Sequence, residues 1–204
     1  MSTDDISDLS QLEIDGLKFM REEEKLARDV YLALYEYWQL PIFSNIAGSE
    51  STHMEAVLTL LEKYEIADSA SSEIGKFNNE NLQSLYNQLV SYGKESKEAA
   101  FTVGAKIEDL DIKDLEENIS TAENSDIRIV YESLQRGSRN HLRAFNRQLN
   151  NETGSNYIPE YISTEEFNLI ISSEVERGNE QGGSQTGGQN GNGGKGNKGG
   201  QGRN

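Results

Sequence analysis

Helix breakers are nearly absent from the first 177 residues of this 204-residue chain, which hold Pro41, Pro159 and seven glycines, while twelve more glycines crowd into residues 178–204. Proline removes a backbone donor and glycine raises the entropic cost of a fixed backbone, so the breaker-poor part is free to form long helices. The Gly/Asn/Gln-rich part from Gly178 to Asn204 offers no large apolar side chain to bury, and is expected to be a disordered, solubilising tail. Residues 1–13 are expected to be a flexible acidic N-terminus, and residues 14–177 one compact domain.

Hydrophobic periodicity fills that domain with helices. Leu17, Met20, Glu24, Ala27, Tyr31, Leu34 and Trp38 recur at steps of three and four and predict a helix from Ile14 that stops at Leu40-Pro41. Ile46, Glu50, His53, Val57, Leu60 and Tyr64 mark a second, with Ser44 as its N-cap. Asn79 to Tyr92 predict a shorter amphipathic helix stopped by Gly93. A third long stripe over Lys94 to Ile119 passes through Phe101, Gly104, Glu108, Asp111 and Leu115. A fourth over Ser125 to Leu149 passes through Ile127, Val130, Leu134, His141 and Phe145. Ser163 and Glu166 have the spacing of a capping box for a last short helix. The expected architecture is all-α: four long helices in a bundle with a long crossover between the second and third, plus short extra helices.

Composition narrows the chemistry. There is no cysteine, which excludes disulfides, thiolate zinc sites, Fe–S clusters and a cysteine nucleophile. A net charge of −16 argues against nucleic acid as a partner, because phosphate neutralisation needs clustered Lys and Arg. Neither an 18-residue apolar run nor an N-terminal apolar segment is present, so no membrane span and no signal peptide are expected, and a cytoplasmic location is.

The apolar stripes are interrupted by ionisable groups near their middles. Glu24 breaks the first, Glu50 and His53 the second, Glu108 and Asp111 the third, and His141 the fourth. A lone buried carboxylate costs several kcal/mol unless it is paired, protonated or bound to metal. Residues three apart project from adjacent helical turns in nearly the same direction, so Glu50 with His53, and Glu108 with Asp111, can converge on one ligand. Singly, each has an ordinary explanation: E-x-x-H is a weak motif, the run IEDLDIKDLEE could be a solvated face, and a half-buried histidine is common. Jointly they are harder to dismiss, because both histidines of the chain fall on these stripes. Four carboxylates and two imidazoles suit two divalent iron or manganese ions, and four negative charges balance two dipositive ions. No haem and no nucleotide are expected.

The segments EEEKLARDVY (22–31), SESTHMEAV (49–57), GAKIEDLDIKDLEE (104–117) and GSRNHLRAF (137–145) resemble the ferritin-like di-iron carboxylate superfamily, and more closely its rubrerythrin-related branch. The similarity runs from about Leu17 to Ile171. It implies that Glu24 is a first-helix metal ligand, with Tyr31 a tyrosine close to the site. It further implies that Glu50 and His53 are the second-helix pair, that Glu108 and Asp111 are third-helix ligands, and that His141 is the fourth-helix histidine. Ser138 stands where that family has a fourth-helix glutamate. The cysteine-ligated iron module of rubrerythrins proper is absent. Arg139 and Arg143, which flank His141, are expected to partner the excess carboxylates. What the resemblance implies is a di-iron or di-manganese protein of ferroxidase or peroxide/O2-reducing type, with Fe2+, O2 or peroxide as reactants and an external electron donor or iron itself as the source of electrons. A homodimer is compatible with the chain. The competing class is a non-enzymatic acidic helical interaction module with a vestigial or structural metal site. Metal storage in a cage is less attractive, since nothing in the sequence reports a shell-forming interface.

Overall fold

In the computed structural model residues 9–178 are described, and residues 1–8 and the Gly-rich tail expected from Gly178 lie outside them apart from Gly178 itself. The described chain is all-helical: α1 (Gln11–Trp38), α2 (Pro41–Lys63), α3 (Glu80–Gly93), α4 (Lys97–Thr121), α5 (Ser125–Thr153) and α6 (Thr164–Ser172), with no strand among the described residues. No described helix is long and apolar enough to cross a membrane.

Local chemistry sets the helix ends. α1 begins three residues ahead of the expected Ile14, because Ser10 and Glu13 form a capping box in which the Ser10 hydroxyl accepts the Glu13 N–H and the Glu13 carboxylate accepts the Ser10 N–H. The other Glu13 oxygen accepts the N–H groups of Glu123 and Asn124, so one carboxylate ties the start of α1 to the start of α5. Gln39 takes the left-handed conformation, with φ 55°, and ends α1. α2 then starts at Pro41 and not at the expected cap Ser44, whose hydroxyl donates back to the Pro41 carbonyl. Proline has no N–H to leave unsatisfied in a first turn, which lets the helix begin earlier than the Ser44 cap predicts. Asn79, Ser96 and Ser163 cap α3, α4 and α6, and Gly154 at φ 76° ends α5.

The four long helices close on one another: α1 packs on α2 and α4, α5 packs on α4 and α2, and α3 in the crossover covers α1 and α4. Their interior holds two apolar clusters. Tyr31, Phe43, Phe101 and Phe145 form the aromatic centre of one, with Tyr31 and Phe145 rings 5.2 Å apart. Leu17, Met20, Val57, Leu61, Leu115, Ile127 and Leu134 form the other. The ionisable groups that interrupt the stripes lie on the same helices, the carboxylates buried and the two histidines half-buried.

The crossover is held by a buried ion pair. Lys25 and Asp29, both fully buried one turn apart on α1, lie 2.5 Å apart. The Lys25 ammonium also donates to the carbonyls of Glu73 and Lys76, while Asp29 accepts the Gly75 N–H. Glu22 accepts the Asn78 N–H. Much of the charge in EEEKLARD is therefore spent on fastening the loop between α2 and α3.

Candidate metal centre

Glu24 of α1, Glu50 and His53 of α2, Glu108 of α4 and His141 of α5 meet in the interior, the carboxylates buried and each imidazole 12% exposed. Two groups of possible ligand atoms result. Glu24, Glu50 and His53 make one, and Glu50, Glu108 and His141 the other, the atoms of each lying within 4.8 Å of one another. Glu50 belongs to both. Its Oε2 lies 2.7 Å from His53 Nδ1, and its Oε1 lies 2.8 Å from His141 Nδ1. His53 Nδ1 is also 3.1 Å from Glu24 Oε2, and His141 Nδ1 is 3.5 Å from Glu108 Oε2. Both imidazoles thus turn Nδ1 toward Glu50, and their rings stack with centres 5.7 Å apart.

This geometry does not close as a hydrogen-bond network. His141 Nδ1 and Glu50 Oε1, although 2.8 Å apart, have no hydrogen-bond partner, and neither do Glu24 Oε1 and Asp111 Oδ1. Buried polar atoms are nearly always paired, and three of these orphans, on Glu24, Glu50 and His141, belong to the two groups of possible ligand residues. A donor set of carboxylate oxygens with one imidazole per group fits iron or manganese better than thiolate-seeking metals. Each of the two groups could hold a metal ion.

The electrostatics agree. Burial raises the Glu24 carboxyl to about 7 despite the opposing pull of His53. Burial, then the Glu50 charge, also raises Glu108. At Glu50 burial acts upward, but the imidazoles of His141 and His53 win and hold it well below the carboxylate range. Burial alone would lower the imidazoles; Glu24 and Glu50 instead push His53 up to about 12, and Glu108 and Glu50 push His141 up to about 10. Without metal, protons on the imidazoles take the place of cations.

Asp111 is placed differently from the other expected ligands. It is buried one turn along α4 from Glu108, outside both three-residue groups, and accepts a short hydrogen bond from the Ser138 hydroxyl. Ser138 thus presents no carboxylate from α5 but grips one from α4, leaving Asp111 Oδ1 free and buried. Tyr31 donates to Glu108 Oε1 at 2.5 Å, which orients that carboxylate; burial and the Glu108 charge hold the phenol protonated. Arg139 and Arg143 do not reach the carboxylates of the centre. Arg139 lies 2.5 Å and Arg143 2.7 Å from Glu176, and Arg143 also donates to the Ile170 carbonyl, so both fasten the C-terminal segment to the outer face of α5. Residues 139 and 143 sit two positions either side of His141, about 200° around the helix, which turns them outward when His141 faces in.

One residue of the site carries no side chain. A Cβ at Gly137 would stand 2.6 Å from both Cε1 and Nε2 of His53, so α5 makes room for that ring only by having glycine there. A glycine inside a helical run is the sequence sign of such a close approach, although it does not say what approaches.

Fold and site together define an all-helical protein with a buried carboxylate and imidazole cluster shared by four long helices. Residues 13–174 match the family described as "Uncharacterized protein domain (DUF2202)", and the chain belongs to that family. It is 58% identical over 171 residues to the uncharacterized protein MJ0754 of Methanocaldococcus jannaschii, a match covering 83% of this chain and 92% of that protein. Its fold is similar to the crystal structure of hypothetical protein MJ0754, with a TM-score of 0.80 over 82% of this chain and 96% of that one.

Proposed function

We propose that this protein is a ferritin-like dinuclear metalloprotein of the rubrerythrin-related kind, holding two iron or manganese ions between its four long helices and acting as a ferroxidase or a reductase of O2 or peroxide. The observation that carries the reading is Glu50, whose Oε2 lies 2.7 Å from His53 Nδ1 and whose buried Oε1, 2.8 Å from His141 Nδ1, has no hydrogen-bond partner. A carboxylate placed so could serve two metal positions. Glu24 and His53 would hold one ion and Glu108 and His141 the other, while Asp111, steadied by Ser138, would supply the fourth negative charge. Two such ions, each passing from the +2 to the +3 state, would together supply two electrons to an oxidant. The protein's part is to keep the imidazoles unprotonated toward the metals, to fix Glu108 through Tyr31, and to exclude bulk water from a site whose carboxylates are buried. Electrons come from Fe2+ as substrate or from an external donor, since the chain has no cysteine to hold a relay cluster.

The competing reading is a non-enzymatic acidic module with a vestigial or structural metal site; a vestigial site leaves the orphaned atoms without a reason, and a structural one differs in lacking the oxidation activity. Metal analysis tests the site and an oxidation assay the activity. Purified protein loaded with Fe2+ or Mn2+ should hold two ions per chain, His53→Ala one, and Glu50→Ala none, because only Glu50 serves both positions. Equal metal content in all three proteins would sink the site. Fe2+ oxidation no faster than the buffer blank, with O2 or with peroxide, would sink the activity and spare the site.

A further inference from the structure

α5 carries the positive charge of an otherwise acidic body. Five arginines stand on it against Asp126, Glu132 and Glu152, whereas acidic residues outnumber Lys and Arg on each of the other described helices. Arg136, Arg139, Arg143 and Arg147 follow at steps of three and four and so share one face, which Ile129 continues seven residues earlier. The C-terminal segment covers the middle of that face. There Glu176 pairs with Arg139 and Arg143, and the Asn140 side chain holds both the N–H and the carbonyl of Glu176. Nearer the start of α5 the face is open, and Ile129, Ser133, Arg136 and Arg177 line a groove there. Ile129 is 65% exposed. Among the described residues neither Arg136, which donates to the Ser133 hydroxyl, nor Arg177 has an acidic partner.

An exposed apolar side chain beside unpaired guanidinium groups is complementary to an acidic segment with an apolar residue in it. Residues 3–8 read TDDISD, three aspartates around Ile6. They join α1 at the start of α5. The Glu13 carboxylate that accepts the Ser10 N–H also accepts the N–H groups of Glu123 and Asn124, and Leu9 packs on the cluster that holds Ile127 and Tyr131. From Asn124 to Arg136 the helix rises about 18 Å. The six residue steps from Ser10 back to Asp4 span about 20 Å when extended. The C-terminal tail also starts at this groove, a Cβ at Gly178 standing 3.5 Å from the Arg136 guanidinium. Residues 178–204, however, hold Lys195, Lys198 and Arg203 against Glu180 and have the wrong sign for it. We propose that residues 3–8 lie along the outer face of α5 as an acidic strap, with Asp4 and Asp5 on Arg136 and Arg177 and Ile6 over Ile129. Together with Glu176 the strap neutralises the row from Arg136 to Arg143. It uses no residue of the dinuclear centre and stands whether or not that reading does.

The chain has no cysteine of its own, so two introduced ones report the contact. In the full-length protein, Thr3→Cys with Ser133→Cys should close an intrachain disulfide under oxidised glutathione about tenfold faster than Thr3→Cys with Glu116→Cys, because a docked segment has the higher effective concentration. Glu116 is exposed near the end of α4, at a similar reach, and its loss removes a charge that would repel the strap. Arg136→Glu, added to the groove pair, should bring its rate down to that of the control pair. So should about 1 M NaCl, where the screening length is about 3 Å. Removal of residues 179–204 should leave the groove rate unchanged. Equal rates for the two pairs, or a groove rate that Arg136→Glu does not lower, would overturn the strap. A rate that falls with the tail removed would give the groove to the tail, and disulfides forming faster between chains than within one would give it to a second copy; either result overturns the proposal. Should Arg136→Glu lose its helical circular dichroism, Arg177→Glu in the C-terminal segment decides in its place.

Discussion

Gly137 shows how much of the site depends on an absent group. A methyl group there would fall on the His53 ring, while in the middle of an otherwise regular helix alanine is favoured over glycine by about 1 kcal/mol. The two effects oppose each other in stability, but only one touches the metal. Gly137→Ala is expected to fold and to keep the position built on Glu108 and His141, while the one built on His53 is lost. Metal analysis should read one ion per chain against two, with a helical circular dichroism spectrum like wild type. Two ions bound as tightly as in wild type would show that the His53 ring can move aside without consequence. The candidate ligands at 24, 50, 53, 108 and 141 were legible beforehand because each is an ionisable residue on an apolar stripe, a conflict visible in one dimension. Gly137 was not, because a glycine inside a helical run does not say what approaches it.

At the scale of elements, α1 does two jobs with one charged segment. Glu24 faces the site, while Glu22, Lys25 and Asp29 face the crossover loop and the helix α3 that follows it. Lys25 also lies over the Phe77 ring, 4.2 Å from its centre. Removing one member of a buried pair strands the other, at a cost of about 3–5 kcal/mol. Asp29→Ala should therefore lower the unfolding free energy by about that amount, and should expose the segment from residue 64 to 79 to limited proteolysis before the long helices are cut. Cleavage elsewhere first would mean that the loop is held by its other contacts. The helices themselves were predictable from three- and four-residue spacing. Their exact starts moved with caps, because Pro41 and the Ser10–Glu13 box are short-range chemistry that a hydrophobic stripe does not record.

Over the whole molecule, the proposed metal ions and protons would compete for the same interior. His53 and His141 are raised from 6.5 to about 12 and about 10, so the metal-free folded state binds their protons more tightly than the unfolded chain does. The stability they contribute is complete below about pH 6.5 and is lost as pH rises toward 10 and beyond. Glu24, raised from 4.5 to about 7, acts with the same sign between those two values. Glu176 acts oppositely: Arg139 first, and then Arg143, hold it down near 2, so its contribution is present above 4.5 and is lost as pH falls through about 2. Metal-free protein should thus melt at progressively lower temperature from pH 5 to pH 9. Ions replacing those protons bind better as pH rises, so the metal-loaded protein should hold its melting temperature across the same range, and the gap between the two should widen. Melting curves at pH 5, 7 and 9, with and without chelator, measure both trends; a gap that narrows with pH would refute the competition.

What the sequence determined by itself is the helical fold class and the identity of the charged residues that interrupt its apolar faces, since both follow from periodicity along one helix at a time. The tertiary structure decided the rest. Which carboxylate lies between the imidazoles, that Ser138 grips Asp111, and that Gly137 seats His53 all depend on distances between helices. Those distances are set by how the four long helices pack, and no spacing within a single helix encodes them.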